Sequence, residues 1–130
     1  MALAKIRRSE QRDMIRDEVY SRCDHPTAEA VYEALRTKAP NLSLGTVYRN
    51  LNLLSELGVI LRVPVPGQPD HFDRTTYPHC HFRCNCCNTV LDLPMAPPVT
   101  LPDAQQSLGC QITGFDLLFN GLCPNCSEKV

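Results

Sequence analysis

Two Cys-x-x-Cys pairs carry the strongest chemical signal in this sequence. Cys84 and Cys87 form the first pair, and Cys123 and Cys126 form the second. A turn of this spacing lets two thiolates converge on one ion, so two such turns supply the four sulfur ligands of a tetrahedral zinc site. Because protein ligands then fill every coordination position, we expect a structural Zn²⁺ that stabilises a small domain whose apolar core is insufficient alone.

Other interpretations of the cysteines stay open. The pairs are compatible with an iron–sulfur or rubredoxin-like centre, and residues 123–126 resemble a thioredoxin-type redox motif. We expect no room for a helix after that motif, and such a helix is what lowers the pKa of a redox thiol. Cys86, inside the first pair, could compete as a ligand. Cys23 and Cys110 are expected to be buried as small apolar side chains.

Histidines and carboxylates form a second group of candidate ligands. His79 and His81 lie two residues apart, so both rings would project from one face of a strand, and His71 and Asp73 have the same spacing. Taken singly, each of these side chains also fits a structural or surface role. Together, nitrogen and oxygen donors suit Fe²⁺, Mn²⁺ or Zn²⁺. We therefore expect a regulatory metal ion at the junction of two domains, held by His25, Asp73, His79, His81 and Asp92.

Length, composition and charge restrict the class of protein. The chain has 130 residues with 13 Lys and Arg against 14 Asp and Glu, which predicts one or two small domains and argues against a large enzyme. No apolar run approaches the roughly 18 residues of a membrane span, and the N-terminus lacks the apolar segment of a signal peptide. We expect a cytoplasmic protein without membrane contact, in which eight cysteines favour metal binding over disulfides.

The elements that must position these residues follow a pattern of helices and then a hairpin. Apolar periodicity and capping signals predict helices over residues 9–23, from Thr27 to before Pro40, and over residues 43–57. Strand-like stretches at 59–65 and 71–73 flank a Pro-Gly turn. This order predicts a winged helix-turn-helix domain over residues 1–73, followed by a hinge at 74–78.

The second half of the chain predicts a small α+β domain over residues 79–130. Two strands are expected at 79–84 and 89–93, and the prolines of 94–102 require a loop. Asp103 is expected to cap a short helix, and further strands are expected over 112–119. The predicted fold class is therefore α+β, with an N-terminal winged helix and a C-terminal α+β domain that holds the structural zinc.

Several ordered motifs resemble the ferric uptake regulator family of metal-responsive repressors. They are the run at 25–29, His-Pro-Thr-Ala-Glu, the run at 45–51, Gly-Thr-Val-Tyr-Arg-Asn-Leu, and the run His79-x-His81-x-x-Cys84-x-x-Cys87, followed by the second cysteine pair. The resemblance covers nearly the whole chain. It implies a homodimer, in which the N-terminal domain binds a palindromic DNA operator and the C-terminal domain carries zinc and dimerises.

The ligand residues of the regulatory metal site differ between the branches of this family. Members that resemble the peroxide-sensing repressors have three His and two Asp there, as this chain does. Iron-sensing members more often have Glu at the positions of Asp73 and Asp92, and zinc-sensing members usually bring in a Cys. The resemblance therefore implies Fe²⁺ or Mn²⁺ at this site and peroxide sensing through oxidation of His25 or His79. Regulation of iron or zinc uptake is the alternative.

Three cysteines depart from the family pattern, namely Cys23, Cys80 and Cys86. They leave open a thiol-assisted zinc site or direct cysteine oxidation. His71 could replace or supplement a ligand.

The third helix is the expected DNA-reading element. Tyr48 would contact thymine methyl groups, and neighbouring polar side chains would face bases or phosphates. The N-terminal half, residues 1–65, has 10 basic and 8 acidic residues, so its net charge of +2 is small and specific contacts must matter. The expected DNA-binding residues are Ser43, Thr46, Tyr48, Arg49 and Asn50, and the phosphate-contact candidates are Arg7, Arg8, Arg12, Lys38 and Arg62.

An enzyme and a zinc-ribbon module are the rival classes. Zinc deaminases pair Cys-x-x-Cys with His-x-Glu, but no His of this chain precedes a Glu at that spacing. Four paired thiolates also leave no open coordination position. We expect no catalysis and no small-molecule ligand other than metal and peroxide. A zinc ribbon would explain the thiols but not the elements of residues 9–73.

Overall fold

A computed structural model of the chain describes residues 8–77, 79–93, 109–112 and 117–128. The chain divides into two compact units, residues 1–76 and 77–130. The predicted loop at 94–102 and the predicted cap at Asp103 lie outside the described residues. Among the residues described, no helix is both long and apolar enough to cross a membrane.

The first unit contains three helices whose starts follow from local capping. They are α1 (Arg8–Tyr20), α2 (Ala28–Leu35) and α3 (Leu44–Glu56). The hydroxyl of Thr27 accepts a hydrogen bond from the N–H of Ala30 at 3.2 Å, and that of Ser43 accepts from the N–H of Thr46 at 3.1 Å. Gly58 has a φ of +74° and ends the third helix. These caps confirm the predicted starts of α2 and α3.

A two-stranded wing follows the helices. Strands β1 (Leu61–Val63) and β2 (His71–Asp73) pair antiparallel, with Leu61 opposite Asp73. The first strand is shorter than predicted because the N–H of Val59 bonds to the carbonyl of Leu54 at 2.9 Å, which directs residues 59–60 onto the helices. Three helices and a wing confirm the winged-helix fold.

The core of the first unit lies between the three helices and β2. Its largest fully buried side chains include Ile15, Leu51 and Phe72. The N–H of Phe72 donates to the carbonyl of Pro26 at 2.9 Å, and Thr27 forms an isolated bridge with His71. Burial of Phe72 therefore holds β2 against the segment before α2, which is the segment that contains His25.

The second unit is a three-stranded sheet with a short helix. Strands β3 (Cys80–Cys84), β4 (Val90–Leu93) and β5 (Leu118–Gly121) have the order β4-β3-β5, with β3 antiparallel to β4 and parallel to β5. The prediction of strands over 112–119 was wrong in its bounds. Ile112 lies outside any strand, and β5 extends to Gly121 because it pairs with Cys84 at the end of β3.

The last motif itself forms a short helix that the sequence did not predict. A one-turn helix, α4 (Pro124–Ser127), begins directly after Cys123. Proline at the first helical position has its φ preset for the helix and loses no hydrogen bond there. The N–H of Ser127 closes the turn by donating to the carbonyl of Cys123 at 2.8 Å. The second cysteine pair is therefore held by helical geometry.

Candidate functional site

Four thiols converge at one end of the sheet in the second unit. Cys84 ends β3, and a tight turn, closed by the N–H of Asn88 on the carbonyl of Cys84 at 2.9 Å, folds Cys87 back towards it. Asn88 adopts a φ of +62°, which asparagine tolerates well. The N–H of Asn85 donates to the carbonyl of Gly121 at 2.7 Å, so this turn lies beside the segment that leads to Cys123.

The spacing of these thiols fits a tetrahedral zinc ion. The sulfur atoms of Cys84, Cys87, Cys123 and Cys126 all lie within 4.8 Å of one another. The sulfurs of Cys87 and Cys123 are 3.8 Å apart. A Zn–S bond of about 2.3 Å implies a sulfur–sulfur edge of about 3.8 Å in a regular tetrahedron. Four thiols whose sulfurs lie this close together can bind zinc with little rearrangement.

Hydrogen bonds already favour ionisation of part of this cluster. Backbone N–H groups of Cys87 and Cys123 lower the pKa of Cys84 to about 6. The hydroxyl of Thr89, 3.0 Å from the sulfur of Cys87, lowers the pKa of Cys87. Hydrogen bonds with the neighbouring thiols, that of Cys123 first, raise the pKa of Cys126. Because the ligands of zinc are thiolates, metal binding to this cluster releases the protons that its thiols still carry.

Two cysteines outside the cluster are exposed, contrary to the prediction that they are buried. Cys23 follows the end of α1, where the buried face of the helix has already ended at Val19. Cys110 follows Gly109, which has a φ of +67° and turns the chain at the surface. Cys80, in contrast, is fully buried. Cys23 and Cys110 are exposed because both lie where the chain bends at the surface, so their apolar character alone did not decide their burial.

The first unit contains a buried histidine–aspartate pair. The Nε2 atom of His25 lies 3.3 Å from Oδ2 of Asp73, with side-chain exposures of 3% and 5%. His25 has a φ of +55°, a left-handed conformation that costs a non-glycine residue about 1–2 kcal/mol. Nδ1 of His71 is 2.6 Å from the carbonyl oxygen of His25 and donates to it. His71 therefore supports the main chain at His25.

The second unit contains two histidines that share one carboxylate oxygen. Oδ1 of Asp92 lies 2.8 Å from Nε2 of His79 and 3.3 Å from Nε2 of His81. The register of β3 and β4 places His81 opposite Asp92, and the two imidazole centroids are 4.3 Å apart. Nδ1 of His79 bonds to the carbonyl of Tyr77 at 2.8 Å, which leaves Nε2 directed at the carboxylate. Two convergent nitrogens and an oxygen are suitable donors for a divalent cation.

A positively charged groove runs between α1 and α3 in the first unit. Its volume is about 540 Å³, and its lining residues are Arg8, Gln11, Arg12, Thr46, Arg49, Asn50 and Leu53. Tyr48 and Arg49 are exposed on α3, whereas Ser43 is engaged as the N-cap. Arg7 lies outside the described residues.

A hydrogen-bond chain organises the side chains of this groove. Nε of Arg12 donates to Oδ1 of Asn50 at 3.1 Å, and Nδ2 of Asn50 donates to the carbonyl of Thr46 at 2.9 Å. Nη2 of Arg49 donates to the hydroxyl of Thr46 at 3.0 Å. Asn50, one of the expected DNA-binding residues, accepts the hydrogen bond from Arg12 through its amide oxygen and so orients the guanidinium of Arg12. No spacing rule could reveal this pairing, because the two residues belong to different helices.

Three helices with a two-stranded wing, together with a small α+β unit that carries four converging thiols, define a winged-helix transcription regulator with metal-binding groups. Comparison with known proteins agrees with this class. The chain belongs to the ferric uptake regulator family, whose sequence profile matches residues 4–114. The resemblance noted from the sequence motifs and the predicted α+β fold class are both confirmed.

Individual relatives connect the chain with peroxide-responsive regulators. It is 30% identical over 131 residues to the peroxide-responsive repressor PerR of Staphylococcus epidermidis, covering 97% of this chain and 85% of that one. It is 32% identical over 129 residues to the peroxide operon regulator of Bacillus subtilis, covering 95% and 86%. The ferric uptake regulator of Helicobacter pylori shares the fold, with a TM-score of 0.72 at 22% identity and coverage of 95% and 83%.

Proposed function

We propose that this protein is a metal-dependent repressor that binds a palindromic operator as a homodimer and releases it when hydrogen peroxide oxidises a ligand histidine. The observation that carries the proposal is the composition of the histidine–aspartate groups. His25 is paired with Asp73 in one unit, and His79 and His81 are paired with Asp92 in the other. Three imidazoles and two short carboxylates are the donor set expected of a peroxide sensor, and curated relatives bear that name.

The five donors would together bind one Fe²⁺ or Mn²⁺ ion, for which imidazole and carboxylate ligands are well suited. Because they come from both units, their shared ligation would couple the DNA-binding domain to the dimerisation domain. In a dimer, this coupling would set the separation of two recognition helices, which must match the spacing of two operator half-sites. Without the bound metal ion, the winged domains would lose that fixed separation and the affinity for DNA would fall.

Bound Fe²⁺ would supply the electron that activates hydrogen peroxide beside the ligands, and Mn²⁺ would support repression without this chemistry. By the resemblance to the peroxide-sensing branch, His25 and His79 are the candidate targets, and each presents Nε2 to a carboxylate. A ring that gains one oxygen atom has altered nitrogen donors and can no longer make the same contact with Asp73 or Asp92. The loss of one donor would break the coupling between the units.

The DNA surface would be the exposed face of α3 and the adjoining groove. Tyr48 would contact thymine methyl groups in the major groove. Arg8, Arg12 and Arg49 would contact phosphates, and Asn50 would hold Arg12 in position. The four cysteines would hold a structural Zn²⁺ that keeps the second unit folded. In this proposal the protein acts in the cytoplasm and has no catalytic activity.

An experiment with metal-substituted protein tests the function. Operator DNA is first selected from a random duplex library with the Mn²⁺ form, and binding is then followed by fluorescence anisotropy with Fe²⁺, Mn²⁺ or Zn²⁺, before and after peroxide. We expect peroxide to abolish binding by the Fe²⁺ form only, with one added oxygen atom on a peptide that contains His25 or His79. Oxidation confined to cysteines would contradict the mechanism, and a response to Zn²⁺ alone would indicate a zinc uptake regulator.

A further inference from the structure

The main chain at His25 lies in a conformation that the residue does not prefer. Its φ is +55°, in the left-handed region that a side chain with a Cβ atom disfavours. The buried imidazole reaches Asp73 from this backbone, with Nε2 3.3 Å from Oδ2. A return of φ to negative values would redirect the imidazole, so the position of Nε2 depends on the contacts that hold this conformation.

His71 holds the carbonyl end of His25. Its Nδ1 atom lies 2.6 Å from the carbonyl oxygen of His25, and because a carbonyl only accepts, Nδ1 carries the proton. The ring reaches this point because β2 lies against the segment before α2, where Thr27 forms a bridge with His71. The N–H of Phe72 donates to the carbonyl of the next residue, Pro26, at 2.9 Å. Two successive residues of β2 therefore fix the peptide groups on the carbonyl side of His25.

Arg22 holds the segment that enters His25. Its guanidinium donates to both carboxylate oxygens of Asp24, at 3.0 Å and 2.8 Å. Its Nη1 atom also donates at 3.4 Å to the carbonyl of Ala30 and to the carboxylate of Glu18. One planar cation thus connects the end of α1, the first turn of α2 and the residue directly before His25. His25 is therefore supported on its amino side as well as on its carbonyl side.

The contacts of His71 differ from those of a ligand. A ligand role would fit its spacing of two positions from Asp73. Among the described residues, however, the histidine and carboxylate atoms that converge closely enough to share one ion do not include an atom of His71. Its Nδ1 atom is committed to a carbonyl. The ring of His71 thus contacts the main chain of a ligand and does not join the ligand set.

We propose that His71 is a positioning residue of the regulatory metal site, which holds His25 in its left-handed conformation together with Arg22. Neither residue contacts the ion. Both keep the imidazole of His25 beside Asp73 in the metal-free protein, so that metal binding has less conformational freedom to remove. Loss of either contact then lowers the affinity for the ion although every ligand is still present. The inference rests on the proposed binding of Fe²⁺ or Mn²⁺ by His25 and Asp73.

Two substitutions of His71 separate support from ligation. In His71→Asn, the amide nitrogen is as many bonds from the main chain as Nδ1, so it can donate to the same carbonyl, but no Nε2 atom remains. His71→Ala has neither group. The affinity of the full chain for Mn²⁺ is measured by isothermal titration, with Gln68→Ala at the exposed tip of the wing as the control.

We expect His71→Asn and Gln68→Ala to bind Mn²⁺ as the wild type does. The affinity of His71→Ala should fall by about 10-fold, since loss of a residue that supports a metal ligand costs about 10–100-fold. Equal losses in His71→Asn and His71→Ala would identify His71 as a ligand and overturn the proposal, as would an unchanged affinity of His71→Ala. Urea unfolding of the metal-free variants checks that each is folded in the titration.

Arg22 provides an independent test at a distance from the ligand strand. Arg22→Lys keeps the charge but loses the paired donors that Asp24 accepts, so Arg22→Lys and Arg22→Ala should both bind Mn²⁺ more weakly than the wild type. Arg36→Ala, which removes an exposed pair with Glu33, should not. Unchanged affinity in both Arg22 variants would overturn the support from the amino side. Wild-type affinity in His25→Ala would instead contradict the regulatory site itself, and the inference with it.

Discussion

The imidazole of His25 and the carboxylate of Asp73 meet at 3.3 Å although 48 positions separate them in the chain. The wing produces this contact, because β2 bonds through Phe72 to the carbonyl of Pro26 and places the next residue beside His25. The first unit thus presents a buried nitrogen–oxygen donor pair at the end of its wing. A change in either donor is therefore expected to affect metal binding directly.

The first prediction concerns the carboxylate of this pair. Asp73→Asn keeps the size of the side chain but removes its charge, so we expect Mn²⁺ affinity to fall by more than about 100-fold, since loss of a second-shell partner alone costs about 10–100-fold. Isothermal titration with Mn²⁺ measures the change. Asp70→Asn is the matched control, because Asp70 is a partly exposed neighbour at the same wing. Equal losses of Mn²⁺ affinity in both variants would show that Asp73 is not a ligand of the regulatory metal.

The second prediction separates phosphate contact from base reading. Arg12→Ala removes one groove cation per chain, so we expect the slope of log Kd against log salt to decrease by about 2 for a dimer, at about 0.9 per lost phosphate contact. Asn50→Ala should produce part of this effect, because it frees the guanidinium of Arg12. Arg36→Ala, at the exposed C-terminal cap of α2, should leave the slope unchanged. An unchanged slope for Arg12→Ala would place the groove outside the DNA interface.

The third prediction concerns the start of α3. Ser43→Ala removes the side-chain cap on the N–H of Thr46 and should lower the free energy of unfolding by about 1 kcal/mol. The same substitution at Ser55, whose hydroxyl bonds to the carbonyl of Leu51 within the helix, should be neutral or slightly stabilising because alanine has the higher helix propensity. Urea unfolding followed by circular dichroism compares the two. A loss at Ser55 as large as at Ser43 would argue against a capping role.

The fourth prediction is a pH dependence in the segment before His25. Bidentate hydrogen bonding with Arg22, at 2.8 Å and 3.0 Å, lowers the pKa of Asp24. A carboxyl group with a lowered folded-state pKa stabilises the protein above its ordinary pKa of about 3.9 and loses that contribution as pH falls through the folded-state value. The carboxylate of Asp24 is 60% exposed, so Asp24→Asn should cost less than about 1 kcal/mol at pH 7.

Urea unfolding of wild type and Asp24→Asn at neutral pH and at acid pH checks this expectation. The difference in the free energy of unfolding should be present at neutral pH and shrink towards zero below about pH 4. Asp13→Asn is the comparison, because Asp13 has only a longer ion pair of 3.5 Å on an exposed helix face. A difference that grows on acidification would have the opposite sign to the one derived and would contradict the assignment.

Sequence patterns predicted those parts of the fold that depend on neighbouring residues. Thr27 and Ser43 are caps recognisable from residue type, and both start their helices as expected. The bounds of β5 were not predictable, because they depend on parallel pairing with β3, a distant part of the chain. The turn of helix after Cys123 was missed because a single turn has almost no periodicity to detect.

The candidate sites show the same division between local and distant information. Spacing alone indicated that both pairs of cysteines could converge, since each pair is local. The contact of Arg12 with Asn50 depends on how two helices pack, and no property of either residue indicates it. The exposure of Cys23 follows from the end of α1 at Tyr20, three positions before the predicted end, which places the thiol beyond the buried helix face.

The last prediction concerns removal of zinc. The cysteine cluster of the second unit packs against the partly buried Phe82, whereas the first unit has an extensive apolar core. Metal binding should therefore supply much of the folding free energy of the second unit and little of that of the first. Treatment with a strong zinc chelator should abolish amide protection in β3 and leave α1 to α3 protected. Hydrogen exchange with mass spectrometry measures both in one sample.

Re-addition of Zn²⁺ should restore protection in the wild type but not in Cys84→Ser. Uniform loss of protection across both units would contradict a stabilising role of zinc that is confined to the second unit.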